Sequence, residues 1–172
     1  MAINRLFIWI LILLLWGGSY PATAGKIRDR QNRFKIALPK QMISITDASI
    51  DGRVYFDSSA AIIMMISGRD SKFKSVAQYI DCSRDTLEDQ LRICYGDSLL
   101  RLVSCQRSTI YPRKTTILHF MVTVLPMGFD SYIIYFIHYR NRDIQFAFTY
   151  KKANEDKSIP YIESVMKTLR LR

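Results

Sequence analysis

Two runs near the C-terminus constrain this chain most. In residues 131–140, Ile133, Tyr135, Ile137 and Tyr139 occupy every second position, and in residues 143–151 Ile144, Phe146, Phe148 and Tyr150 do the same. A period of two marks strands with one face turned to a core. Asn141 between them tolerates the positive φ of a tight hairpin, so the sequence predicts a two-residue turn at Asn141-Arg142. Tyr139 then faces Ile144, Ile137 faces Phe146, Tyr135 faces Phe148, and Arg140 meets Asp143 on the other face. A slip of one residue would set Tyr and Ile against charges, so pattern and turn agree. Asp143, Gln145, Ala147 and Thr149 are expected to face outward.

The remaining segments extend this hairpin into an α+β order. Phe34–Leu38 alternates and stops at Pro39, as a short edge strand does. Met42–Ile45, Arg53–Phe56 and the apolar run Ala60–Ile66 read as further strands, the last one central and buried, with a loop over Ser67–Ser71. Residues 73–94 change to helical spacing, with Val76, Tyr79 and Ile80 in one apolar set, Leu87, Leu91 and Cys94 in another, and a helix junction at Cys82-Ser83-Arg84-Asp85 between them. Leu99–Arg107 and Lys114–Leu125 return to strand, the latter with Leu118, Phe120, Val122 and Val124 on one face and His119 on the other. Ser158-Ile159-Pro160 opens a last helix with Ile159, Ile162, Val165, Met166 and Leu169 buried. The expected fold is an antiparallel meander covered by helices, in one domain over residues 34–172.

The start of the chain reads as an export signal. A short basic start to Arg5 precedes the apolar run Leu6–Trp16, and Ala22-Thr23-Ala24 before Gly25 has the small-x-small form of a cleavage site. The run falls short of the roughly 20 apolar residues that span a bilayer. Residues 1–24 are therefore expected to be a signal peptide, leaving a periplasmic or secreted product; the alternative is an uncleaved anchor. The net charge of +10 loses only Arg5 with that segment, and such an excess favours anionic partners. Export argues against nucleic acid. Residues 25–33 carry Lys26, Arg28, Arg30 and Arg33, and with Lys35 they read as a mobile basic arm. The bland alternative is a solvated tail. Of Cys82, Cys94 and Cys105, the preferred disulfide is Cys94 with Cys105, since Cys82 and Cys94 on one continuous helix would lie too far apart. Their spacing matches no zinc pattern.

Phe34-Lys35-Ile36-Ala37-Leu38-Pro39 is similar to the F-x-I-x-x-P opening of the PsbP-like superfamily, and Pro160–Leu169 resembles its closing helix. Within it the chain resembles the DcrB-like bacterial envelope proteins, although it lacks a lipid-attachment Cys after the signal. The resemblance implies an α/β/α sandwich that binds or assembles without catalysis, and it supplies no catalytic residue and no cofactor.

Two candidate sites follow. The basic residues Lys26, Arg28, Arg30, Arg33 and Lys35 form an anionic-surface or partner-binding site. His119 and His138, both placed on the outer face of adjacent strands, form a second that would suit a transition metal or small ligand. No Gly-x-Ser-x-Gly elbow, phosphate loop or catalytic cysteine signature is present. The expected function is that of an exported, non-enzymatic accessory protein of the bacterial envelope that recognises a protein partner, of the secretion-accessory or immunity kind. The alternative is a periplasmic metal- or ligand-binding module built around His119 and His138.

Overall fold

The period-two runs pair as strands, and every pairing is antiparallel. The computed structural model describes residues 25–45, 52–71, 100–110, 113–122 and 129–172. Its strands are β1 (Gly25–Asp29), β2 (Phe34–Leu38), β3 (Ile43–Ile45), β4 (Arg53–Asp57), β5 (Ile62–Asp70), β6 (Leu100–Ile110), β7 (Arg113–Val122), β8 (Ser131–Tyr139), β9 (Arg142–Tyr150) and β10 (Arg170–Leu171), with one helix, α1 (Glu155–Met166), among the described residues. Seven strands form one sheet in the order β3-β4-β5-β9-β8-β7-β6, and a second sheet runs β1-β2-β10. The helices expected over residues 73–94 lie outside the described residues.

The β8–β9 hairpin forms, but its turn is Arg140-Asn141. Both residues have positive φ, 46° and 61°, as a turn matching the strands' twist requires. Tyr139 therefore pairs with Arg142, Ile137 with Ile144 and Tyr135 with Phe146. The register differs from expectation by two residues, so every side chain keeps its face. The shift brings Arg142 into the strand, where its guanidinium pairs with Asp70 and donates to Asn32 Oδ1 from Nε at 3.0 Å. It also brings Asp143 opposite His138.

One core fills the space between the seven-stranded sheet and a layer made of α1 and the small sheet. Ile133, Tyr135, Ile144, Phe146, Phe148 and Tyr150 meet Phe34, Ile36, Leu38, Ile162, Val165 and Met166 there. Phe34 packs edge-on against Phe146 with ring centroids 5.2 Å apart, a favoured aromatic geometry. The opposite face is buried too: Ile134, Phe136, Ala147 and Thr149 are each under a tenth exposed. Continuous apolar sequence in β8 is what a sheet covered on both faces needs. Helix α1 starts at Glu155, three residues earlier than Ser158, so Pro160 lies inside it. β5 runs on to Asp70, through the segment expected to be a loop.

The N-terminal segment departs most from expectation. Residues 25–33 are not a mobile arm. Gly25–Asp29 pair residue by residue with Phe34–Leu38, and β2 is consequently the central strand of its sheet, not an edge. The turn is fastened from below. Asn32 donates from its backbone N to Asp29 Oδ1 at 2.8 Å and from Nδ2 to Oδ2 at 3.0 Å, while Arg142 donates to Asn32 and Arg53 lies 3.6 Å from Asp29. Gly68 of β5 allows this approach: a Cβ there would sit 2.3 Å from Asn32 Oδ1. At the other side, Thr168 Oγ1 accepts from the Ala37 amide at 2.9 Å, and the Arg172 amide donates to Arg33 O at 2.7 Å. The C-terminal tail thus completes the small sheet.

Candidate functional site

Alternation in the small sheet sorts its side chains. Ile27, Phe34, Ile36, Leu38 and Leu171 turn to the core, so Lys26, Arg28, Lys35 and Arg170 turn outward. The registers Arg28↔Lys35 and Lys35↔Arg170 line three cations across three adjacent strands. Neighbouring strands lie about 4.8 Å apart, so these side chains root about 5 Å from one another. Arg30 and Arg33 extend the patch at the turn, Arg33 with φ 57°, and both are exposed with Lys26 and Arg28. Among the described residues no carboxylate pairs with Lys26, Arg28, Arg30, Arg33 or Lys35. The one acid of β1, Asp29, is buried beneath the turn.

The structure therefore gathers all five expected basic residues and adds Arg170, more than 130 residues along the chain. The tail Leu169-Arg170-Leu171-Arg172 alternates apolar and basic residues, the signal of a strand that the helical reading of the tail overrode. Arg170 also donates to the Lys167 and Leu169 carbonyls at 2.9 Å, where a cation complements the end of α1. Like charges side by side oppose pairing, at about 1 kcal/mol per pair before screening. A row of three held this way is an arrangement that folding alone disfavours.

The two histidines do not form a site together. In the β7–β8 register His119 pairs with Ile133, whereas His138 faces Asp143 across β8–β9. Ile133 turns to the main core and His138 alternates away from it, so the two imidazoles lie on opposite faces. The expectation failed because β7 carries apolar residues at both parities, so periodicity alone did not identify the core side. Among the described residues no three metal-ligating side chains gather. Cys82 and Cys94 lie outside the described residues, as does the pairing of Cys94 with Cys105; the Cys105 backbone pairs with Leu118 in β6–β7.

Each histidine has its own partners. His138 Nδ1 lies 2.9 Å from Asp143 Oδ1, with Arg69 at 4.0 Å from the other carboxylate oxygen. His119 Nε2 sits 2.9 Å from Tyr150 Oη, whose hydroxyl donates to Glu155 Oε1 at 3.3 Å; Lys152 pairs with the same carboxylate. Burial lowers the His119 pKa against a smaller opposing pull from Glu155, and burial pushes the Tyr150 hydroxyl up. The Lys152 hydrogen bond holds Glu155 below the usual carboxylate range. This relay closes the end of the core where α1 begins. A further buried carboxylate, Asp57, fixes the β4–β5 turn by accepting from the Ser59 and Ala60 amides, and it accepts from Tyr161 of α1 at 2.6 Å.

Neither a family model nor a curated protein sequence matches this chain. Solved structures do. A cyanobacterial PsbP (CyanoP) from Synechocystis sp. PCC 6803 superposes with a TM-score of 0.70 at 12% identity, over 91% of this chain and 96% of that one. A protein from Bacteroides thetaiotaomicron gives 0.59 at 16% identity over 87% of this chain, which spans about half (49%) of the Bacteroides one. A Pseudomonas aeruginosa protein of unknown function gives 0.54 at 16% identity, over 86% and 96%. The chain has the PsbP-like α+β fold. At such identities the likeness carries the fold alone.

Proposed function

We propose that this is an exported accessory protein of the bacterial envelope that binds and does no chemistry, recognising an acidic protein partner through the outward face of its three-stranded sheet. The observation that carries this reading is the row Arg28–Lys35–Arg170 across three adjacent strands, in which Arg28 and Lys35 have no carboxylate set against them among the described residues. Supporting it, the cations sit on a paired sheet, so binding a partner orders little additional chain. The export pattern of residues 1–24 supports a product outside the cytosol, where an acidic protein or surface is the available counter-charge. Among the described residues no helix is long and apolar enough to cross a membrane. The DcrB-like resemblance favours binding over catalysis. Because His119 and His138 lie on opposite faces, the metal-binding alternative built on that pair is not carried forward.

The test separates binding from folding. Lys35→Glu turns the row into an alternating one, so the variant is expected to be more stable than wild type, by about 0.5–1 kcal/mol in urea unfolding, while losing its partner. Immobilised wild-type and Lys35→Glu proteins are compared on envelope extracts of the producing bacterium. An acidic protein should be held by wild type, released at about 0.5 M salt where the screening length is a few ångströms, and missed by the variant. Equal retention by both, or retention indifferent to salt, overturns the reading.

A further inference from the structure

The hydrogen bonds around β2 fix which backbone groups of β1 are already used. Ala37 directs its N–H to Thr168, and Arg33 its carbonyl to Arg172, both on the β10 side of β2. In a strand, residues of one parity direct both backbone groups to the same edge. Arg33, Lys35 and Ala37 thus point toward β10 and away from β1. Lys26 pairs with Ala37 and Arg28 with Lys35, so these are the pairs that exchange no backbone hydrogen bonds. The Lys26 and Arg28 N–H and C=O groups consequently point to the far side of β1, the end of the sheet among the described residues. The two residues whose cationic side chains project outward are the two whose backbone pairs face that edge. Between them Ile27 is only partly buried, at the rim of the core.

From this coincidence we propose that the partner docks by strand addition: an extended segment with the pattern acidic–apolar–acidic pairs antiparallel with β1. Its two acidic residues exchange backbone hydrogen bonds with Lys26 and Arg28. Residues directly opposite in such a pair have Cβ atoms about 5 Å apart, which sets each carboxylate beside a cation. The apolar residue between them falls opposite Ile27 and extends the core. Antiparallel addition continues the pairing used throughout both sheets. A second copy of this chain does not fit the edge, because its own β1 would bring Lys26 and Arg28 against Lys26 and Arg28, the charged-edge device that prevents self-association. This inference deepens the acidic-partner reading and rests on it.

Four nine-residue peptides with blocked ends test it by fluorescence anisotropy: one alternating Glu and Val, one of the same composition with its Glu residues grouped, and the alternating peptide N-methylated at every Glu or at every Val. The alternating peptide should bind about tenfold more tightly than the grouped one. Methylation at Glu should abolish that advantage and methylation at Val should leave it, and the bound complex should protect the Lys26 and Arg28 amides from hydrogen exchange. If the alternating and grouped peptides bind alike, or the Glu-methylated peptide binds as well as its parent, strand addition is overturned while acidic recognition stands. If no peptide binds, or Arg28→Glu leaves binding unchanged, the acidic-partner reading fails with it.

Discussion

His119 shows how one side chain's surroundings set a measurable property. It is held inside the core end by Tyr150 and Glu155, and burial keeps its folded pKa below the unfolded value of about 6.5. The unfolded chain therefore binds the extra proton first. Stability is full above pH about 6.5 and falls as pH drops from there toward the folded pKa. His119→Gln, which keeps a polar group without the titration, should flatten the urea midpoint between pH 7.5 and 5.5; a slope equal to wild type contradicts this assignment. None of that relay was legible from the sequence. Tyr150 was placed correctly on the apolar face, but that His119 shares it depends on the β7–β8 register, which the residues between them do not encode as a two-residue turn would. The basic residues were all legible as charges. Their alignment was not, because Arg170 joins Arg28 and Lys35 only through long-range pairing.

At the scale of elements, the N-terminal hairpin depends on a contact made from another sheet. Asn32 reaches Arg142 and Asp29 because Gly68 leaves room below it. Gly68→Ala should push the turn off β5 and cost about 1–3 kcal/mol, the usual range for overpacking. Gly25→Ala, where an added Cβ would meet nothing within 4 Å, should stay within about 0.5 kcal/mol of wild type. Urea unfolding of both distinguishes a fastened turn from a solvated one; equal midpoints would contradict it. The bounds of β2, β4, β8 and β9 were readable to within a residue or two. The hairpin turn sits one residue earlier, and the register shifts by two, because Arg142 gains Asn32 and Asp70 as partners only inside β9. The N-terminal residues were misread because Gly-Lys-Ile-Arg-Asp has one apolar side chain to bury. Its strand character comes from backbone pairing to β2 and from the network under the turn, neither of which a local pattern carries.

For the whole molecule, the PsbP-like arrangement explains why the basic face is outward. The small sheet and α1 form one layer over the large sheet, so whatever the small sheet does not turn to the core it presents to solvent. The order of strands and final helix made this α+β class legible, while the division into two sheets was not, since β1 and β10 come from opposite ends of the described chain. Residues 25–29 form a fixed strand presenting a rigid cationic row. Amide hydrogen exchange of the free protein tests it residue by residue. The Ile27 and Asp29 amides, directed at β2, should exchange on the order of a hundredfold or more below the unstructured rate, while Lys26 and Arg28, which alternate with them, exchange fast. Unstructured rates at all four would mean a loose cationic tail and would contradict a fixed β1.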